Sequence, residues 1–146
     1  MGVWRVLILA AVLVGCGAEA DAKTLTGPVT YGKSGGIAGI VQKLTVHSDG
    51  RAVASAYEAK RTFRLNQAQL RSLTGAVAKA KLSSTKSPKD NVQGADGFGY
   101  GVSYRGHRVT WSDFSDEPPE RVLALYRMLD QLYQAHSPCP RDGRSC

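Results

Sequence analysis

The segment Phe98-Gly-Tyr-Gly-Val-Ser-Tyr104, then Arg105-Gly106 and His107-Arg-Val-Thr-Trp-Ser112, carries the clearest structural signal in the chain. Bulky side chains alternate with Gly or Ser as far as Tyr104, and Val109 and Trp111 alternate again after the turn. Alternation with a period of two on both sides of a turn predicts a β-hairpin.

Extended runs also precede this hairpin. We predict strands over residues 28–31, 37–47 and 52–57, with a break at residues 32–36 and a turn at residues 48–51. Three strands of this length joined by short turns favour an antiparallel sheet rather than a parallel one.

Two helices complete the pattern. Asn66 and Gln69 form a capping-box pattern, and apolar residues recur at helical spacing through residues 67–81. An acidic loop with two prolines, residues 113–119, opens a second helix, whose predicted buried stripe is Val122, Leu125, Tyr126, Leu129, Leu132 and Tyr133. The order βββ-α-ββ-α predicts a single α+β domain over residues 28–136, with about five antiparallel strands and two helices packed on one face.

The leader predicts export. Arg5 precedes an apolar run that is much shorter than the roughly 20 residues of a membrane-spanning helix, so residues 1–15 are interpreted as a signal peptide. Leu13-Val-Gly-Cys16 resembles the lipobox of bacterial lipoproteins, which predicts a lipid on Cys16 and a tether over residues 16–27. Cleavage after Ala18-Glu-Ala20 is the alternative, and it would leave a periplasmic or secreted protein.

The cysteines agree with an exported protein. Cys139 and Cys146 lie in the tail, residues 137–146, and an oxidising compartment would favour a disulfide between them. The alternative is a disordered tail with incidental thiols. No Cys and His cluster has metal-ligand spacing, so we expect neither a metal site nor a cofactor.

The net charge and one sequence motif indicate which kinds of partner to expect. The formal net charge is +7, which suits an anionic envelope component or an acidic partner. The alternative is that the charge serves only solubility, because Lys and Arg are scattered along the sequence rather than bunched. The predicted compartment argues against nucleic acid. Residues 27–34 match the phosphate-loop pattern GxxxxGK[ST], but the glycine-rich sequence that follows opposes the helix which that loop requires. We therefore expect no nucleotide site.

Lys33-Ser-Gly-Gly-Ile-Ala-Gly39 resembles a segment near the start of emfourin-like proteins, the family of the protealysin inhibitor. The helix over residues 67–81, the pair Asp96 and Tyr100, the segment 109–113 and the proline-led last helix follow in the same order. The resemblance covers about residues 29–133. It implies a small α/β inhibitor of thermolysin-like zinc metallopeptidases, and hence a secreted or periplasmic metallopeptidase as partner. The leader and the residues Lys33 and Ile37, where an arginine and an aromatic are commoner, depart from the family pattern.

Two loops are the predicted partner-binding sites, because a loop that is rigid before binding loses less entropy in a cleft. The first comprises Lys33, Ser34, Gly35 and Gly36; the second carries Asp113, Asp116 and Glu117, any of whose carboxylates could approach the partner's zinc. The alternatives are a plain hairpin turn and an ordinary helix N-terminus.

No residue constellation predicts a reaction, so we expect no catalytic residues. His47, His107 and His136 are predicted on a strand, beside a turn and at a helix end, without a suitably spaced nucleophile. The alternative to an inhibitor is a lipid-tethered envelope binding or structural module. Such a module would use the aromatic residues Tyr100, Tyr104 and Trp111, which are more often found in a core.

Overall fold

The structure is a computed structural model that describes residues 24–89 and 96–139. In chain order the elements are β1 (Val29–Gly35), β2 (Ile40–Val46), β3 (Arg51–Ala56), β4 (Ala59–Arg64), α1 (Gln67–Ala80), a single-turn 3₁₀ helix (Leu82–Ser84), β5 (Phe98–Tyr104), β6 (His107–Ser112) and α2 (Glu120–Ala135).

All six strands belong to one antiparallel sheet with the order β4-β3-β2-β1-β5-β6. Helices α1 and α2 pack against each other, and their buried residues join one core with a single face of the sheet. The α+β class and the two helices on one face are thus confirmed. The sheet has six strands where about five were expected.

The predicted break after Tyr31 is wrong, because β1 continues through Gly32, Lys33 and Ser34 to Gly35. This part of β1 lies between β2 and β5 and pairs with both. Ladders on both sides satisfy the backbone groups and offset the weak strand propensity of glycine.

The additional strand is β4, which the prediction omitted. A two-residue turn joins it to β3, and Tyr57 adopts a positive φ of 50° there. Because β4 is an edge strand rich in Lys and Arg, its sequence lacks the apolar alternation of a half-buried strand.

The core lies between the helices and the sheet, with Tyr31 at its centre. The Tyr31 side chain is fully buried, and its hydroxyl donates a hydrogen bond of 2.6 Å to Asp130 Oδ1 on α2. Its ring centroid lies 5.0 Å from that of Tyr126 and 5.8 Å from that of Tyr133. Burial of each large side chain here contributes about 1.5–3 kcal/mol to folding.

The predicted helix signals are largely confirmed. Gln69 N donates to Asn66 Oδ1 (2.8 Å) and Asn66 N donates to Gln69 Oε1 (2.9 Å), which completes the capping box. Of the predicted α2 stripe, four residues are buried, while Tyr126 and Leu132 are partly buried against the core.

The folded domain extends beyond the predicted boundary at residue 28. Leu25, predicted to belong to the tether, is buried in the core, and Thr26 N donates to the Tyr104 hydroxyl (3.1 Å). The predicted signal peptide, Cys16 and Cys146 lie outside the described residues, so lipidation and the pairing of Cys139 stay predictions. Within the described ranges, neither helix has the length and hydropathy needed to cross a bilayer.

Candidate functional site at the loop end of the sheet

The two predicted partner-binding loops meet at one end of the sheet, which we call the loop end. It comprises the β1–β2 loop (36–39), the β3–β4 turn (57–58), the residues that open β5 (96–97) and the β6–α2 loop (113–119). Gly35 pairs with Phe98, and Asp113 N donates to Phe98 O (3.0 Å). The start of β5 therefore joins the two loops into one surface.

Asp113 connects the β6–α2 loop to the start of β5 through hydrogen bonds. Its Oδ1 accepts a hydrogen bond from the Tyr100 hydroxyl (2.6 Å), and its Oδ2 accepts one from Phe98 N (2.8 Å). These two bonds, the first being the stronger influence, lower the pKa of the Asp113 carboxyl below its ordinary value. Each oxygen accepts one hydrogen bond within the chain, so the Asp113 carboxylate links the start of β5 to the end of β6. Its approach to a partner's zinc stays a prediction.

Lys33 and Ser34 point to opposite faces of the sheet. Lys33 Nζ lies 4.7 Å from the centroid of the Phe98 ring and 5.9 Å from that of Tyr100, so the ammonium makes cation–π contacts on the helix-covered side. Ser34 is exposed on the other face. Because side chains alternate along β1, Lys33 and Ser34 of the predicted site lie on opposite faces of the sheet and cannot form one contact surface.

Gly35 and Gly36 allow the β1–β2 loop to approach β5 closely. Their φ angles are +112° and +73°, which side chains rarely adopt. A Cβ on Gly35 would collide with the Gly97 carbonyl oxygen, and one on Gly36 would lie 2.7 Å from Phe98 Cζ. Gly36 N also donates to Gly97 O (3.1 Å). Both glycines therefore have a structural reason to be there.

Ile37 is the residue that this loop presents to solvent. Its side chain is 93% exposed, more than that of any other large hydrophobic residue in the described ranges. The loop around it is braced by the bond from Gly39 N to Gly36 O (2.9 Å) and by the Tyr57 hydroxyl, which donates to Gly39 O (2.8 Å). Sequence analysis did not select Ile37 as a site residue. The sequence feature that could have indicated it is a branched apolar residue placed among the glycines of a turn.

The loop end is also the acidic end of the molecule. Of the eight acidic side chains in the described ranges, five lie here: Glu58, Asp96, Asp113, Asp116 and Glu117. Asp116 and Glu117 are exposed on the β6–α2 loop beside the buried Pro118. The exposed side chain of Ile37 therefore lies at the end of the sheet that carries most of the acidic side chains among the described residues.

The three histidines, for which no catalytic role is predicted, lie apart from this surface. His47 follows β2, His107 opens β6, and His136 caps α2 with its ring stacked on Phe63 at a centroid distance of 3.8 Å. Burial lowers the pKa of His136 below its ordinary value. The search of residues 24–89 and 96–139 finds no group of His, Cys, Asp or Glu arranged to hold a metal ion.

The aromatic residues of the alternative hypothesis belong to the core side of the sheet. Trp111 is buried and stacks on Tyr100 with ring centroids 5.8 Å apart, and the Tyr104 hydroxyl bonds to Thr26. The phosphate-loop match, residues 27–34, falls largely within β1, where the backbone groups pair with β2 and β5.

No protein-family model matches the chain, and the search of curated proteins finds no match.

Proposed function

We propose that this chain is an exported, lipid-anchored inhibitor of a thermolysin-like zinc metallopeptidase and that it binds the enzyme through the loop end. The observation that carries the proposal is Ile37, a branched apolar side chain held out on a braced loop. Such a side chain is suited to fill an apolar specificity pocket, where one buried anchor commonly dominates the binding energy.

The preorganisation of the loop supports this proposal. Gly36 and Gly39 are hydrogen-bonded to each other and to β5 or Tyr57, so the loop has a defined conformation before any partner binds. Immobilising a flexible side chain at an interface costs about 0.5–1.5 kcal/mol, and a rigid loop avoids much of the corresponding backbone cost.

The position of the N-terminus is compatible with a tether. The chain enters β1 at Val29, which pairs with Tyr104 at the opposite end from the loop end. The seven residues of β1 separate the two ends by roughly 20 Å. A lipid on Cys16 would therefore leave Ile37 at the end of the domain that is far from the membrane. A soluble enzyme could reach it there.

The direct test is an inhibition assay with a purified thermolysin-like peptidase. We expect wild-type inhibition and a rise in the inhibition constant of about 10–100-fold for Ile37→Ala. Val41→Ala is the matched control, because Val41 is also β-branched and exposed but lies on the sheet face. Absence of wild-type inhibition, or equal effects of the two substitutions, would contradict the proposal.

The N-terminus is tested separately. We expect mass spectrometry of the protein purified from membranes to find a lipid-modified Cys16 as the first residue. A mature chain that begins at Asp21 would refute the anchor but leave export and inhibition intact. If the wild type fails to inhibit the peptidase, the tethered binding or structural module remains as the alternative function.

A further inference from the structure

The sheet has a second face, on the side away from the helices, which we call the open face. The strand positions that point to this side, all within the described residues, carry no acidic and no aromatic side chain. The basic side chains on it are Lys43, Arg51, Lys60, Arg64 and Arg108. The other positions are Ser, Thr, Gly and Val. The strand positions of this face therefore carry five basic side chains that no acidic side chain on the same face offsets, and the acidic loop end lies at its border.

A trough runs along the centre of the open face. In the register of the sheet, Lys43 pairs with Gly32, Gly32 with Gly101, and Gly101 with Thr110. Strands β1 and β5 thus have no side chain in this row, which leaves a floor about 10 Å wide. The trough has a volume of about 630 Å³, and Ser34, Gly99 and Ser103 extend its small-residue floor toward both ends.

Two cations border the trough, and one of them, Arg108, leans over Gly101 in its floor. Lys43 is exposed on β2, and Arg108 is exposed on β6 with its Nε 3.8 Å from the place where a Cβ on Gly101 would be. Within the described residues neither makes an ion pair. Asp49 in the β2–β3 turn does have a basic neighbour on this face, because its carboxylate lies 4.0 Å from Arg64. Lys43 and Arg108 are therefore available to an anion in the trough.

We propose that this trough binds a linear anionic polysaccharide. The two flanking cations suit carboxylate, sulfate or phosphate groups spaced along a polymer, and the serine and threonine hydroxyls suit the hydroxyl groups of sugars. An extended peptide is disfavoured, because β1 and β5, which form the floor of the trough, are paired on both edges and offer no free backbone ladder. A bilayer is disfavoured as well, since the face has no aromatic side chain to insert at the headgroups.

The site is independent of the proposed inhibitory loop. It lies on the face of the sheet, whereas Ile37 lies in the β1–β2 loop, so failure of either proposal leaves the other untouched. We accordingly expect Ile37→Ala to bind the polymer as the wild type does.

The test measures binding of the purified full-length chain to dextran sulfate and polygalacturonate, with neutral dextran as the uncharged control. Lys43→Glu/Arg108→Glu should lose at least about tenfold in affinity, and the dependence of log affinity on log salt should become shallower by about two. Arg71→Glu/Lys79→Glu makes the same charge change on α1 and should lose much less. If the charge reversals impair folding, Lys43→Gln/Arg108→Gln gives the same comparison with neutral side chains.

A second variant distinguishes binding inside the trough from nonspecific electrostatic attraction to the positively charged face. Gly32→Val leaves the charge unchanged and fills the floor, where a Cβ meets nothing nearer than the Gln42 carbonyl oxygen at 4.0 Å. We expect several-fold weaker polymer binding, and no change for Ser55→Val on β3 outside the trough. Wild-type binding by Gly32→Val, equal losses in the two charge-reversal variants, or tighter binding to phosphatidylglycerol vesicles or polyglutamate would overturn the proposal.

Discussion

Replacement of Gly35 by alanine should destabilise the domain far more than an ordinary surface substitution. The φ angle of +112° costs an L-residue at least about 1–2 kcal/mol. The new Cβ would also collide with the Gly97 carbonyl oxygen, and moving that oxygen weakens the hydrogen bond from Gly36 N, which is worth about 0.5–1.5 kcal/mol. We therefore expect a loss of about 2–4 kcal/mol in the free energy of unfolding, measured by urea denaturation followed by circular dichroism.

Gly39 provides the control within the same loop. Its φ of +60° is also positive, but a Cβ there meets no atom within 4 Å, so Gly39→Ala should cost only about 1 kcal/mol. The difference between the two variants measures the collision with β5. Equal losses, or a loss below about 1 kcal/mol for Gly35→Ala, would refute the assigned close approach.

Three further predictions follow from individual contacts. The Tyr100 hydroxyl lowers the pKa of the Asp113 carboxyl in the folded state. The ionised carboxylate therefore stabilises the fold fully above the ordinary pKa of an aspartate, and this stabilisation is lost as the pH falls through the lowered pKa. Asp113→Asn should flatten the dependence of the urea midpoint on pH below about 4. Tyr31→Phe should cost about 1–3 kcal/mol of unfolding free energy, because it removes the buried hydrogen bond to Asp130. Gly75→Ala should raise the urea midpoint and stabilise α1 by up to about 1 kcal/mol, as a Cβ there meets no atom within 4 Å.

The parts of the fold that were predicted correctly depend on local chemistry. The β5–β6 hairpin alternates with a period of two around its turn, and the capping box of α1 needs only Asn66 and Gln69. Both signals come from residues that are close in sequence and have a fixed geometric relation. A reader of the sequence can therefore recognise them without knowing the rest of the fold.

The parts that were missed depend on contacts between distant segments. Gly32 stays in a strand because β5, nearly 70 residues later in the chain, pairs with β1. The hydrogen bonds that Asp113 accepts from Tyr100 and Phe98 were not predicted either, because the proximity of these residues follows from strand register. Exposure of Ile37 likewise follows from the way Gly36 packs on β5. No local pattern contains this information.

The residues of the segment 33–39, which carries the family resemblance, have different structural roles. Lys33 contacts two aromatic rings, Gly35 and Gly36 permit the close approach to β5, and Gly39 closes the turn, so their identities follow from the geometry of the loop. Ile37 is a large hydrophobic residue of this segment that is almost fully exposed and is not required by the packing. If the proposed inhibition is correct, Ile37→Phe should change the relative inhibition of two peptidases with different specificity pockets while leaving the urea midpoint unchanged. A shift in that midpoint, or identical inhibition constants for both side chains, would mean that the loop is only a structural turn.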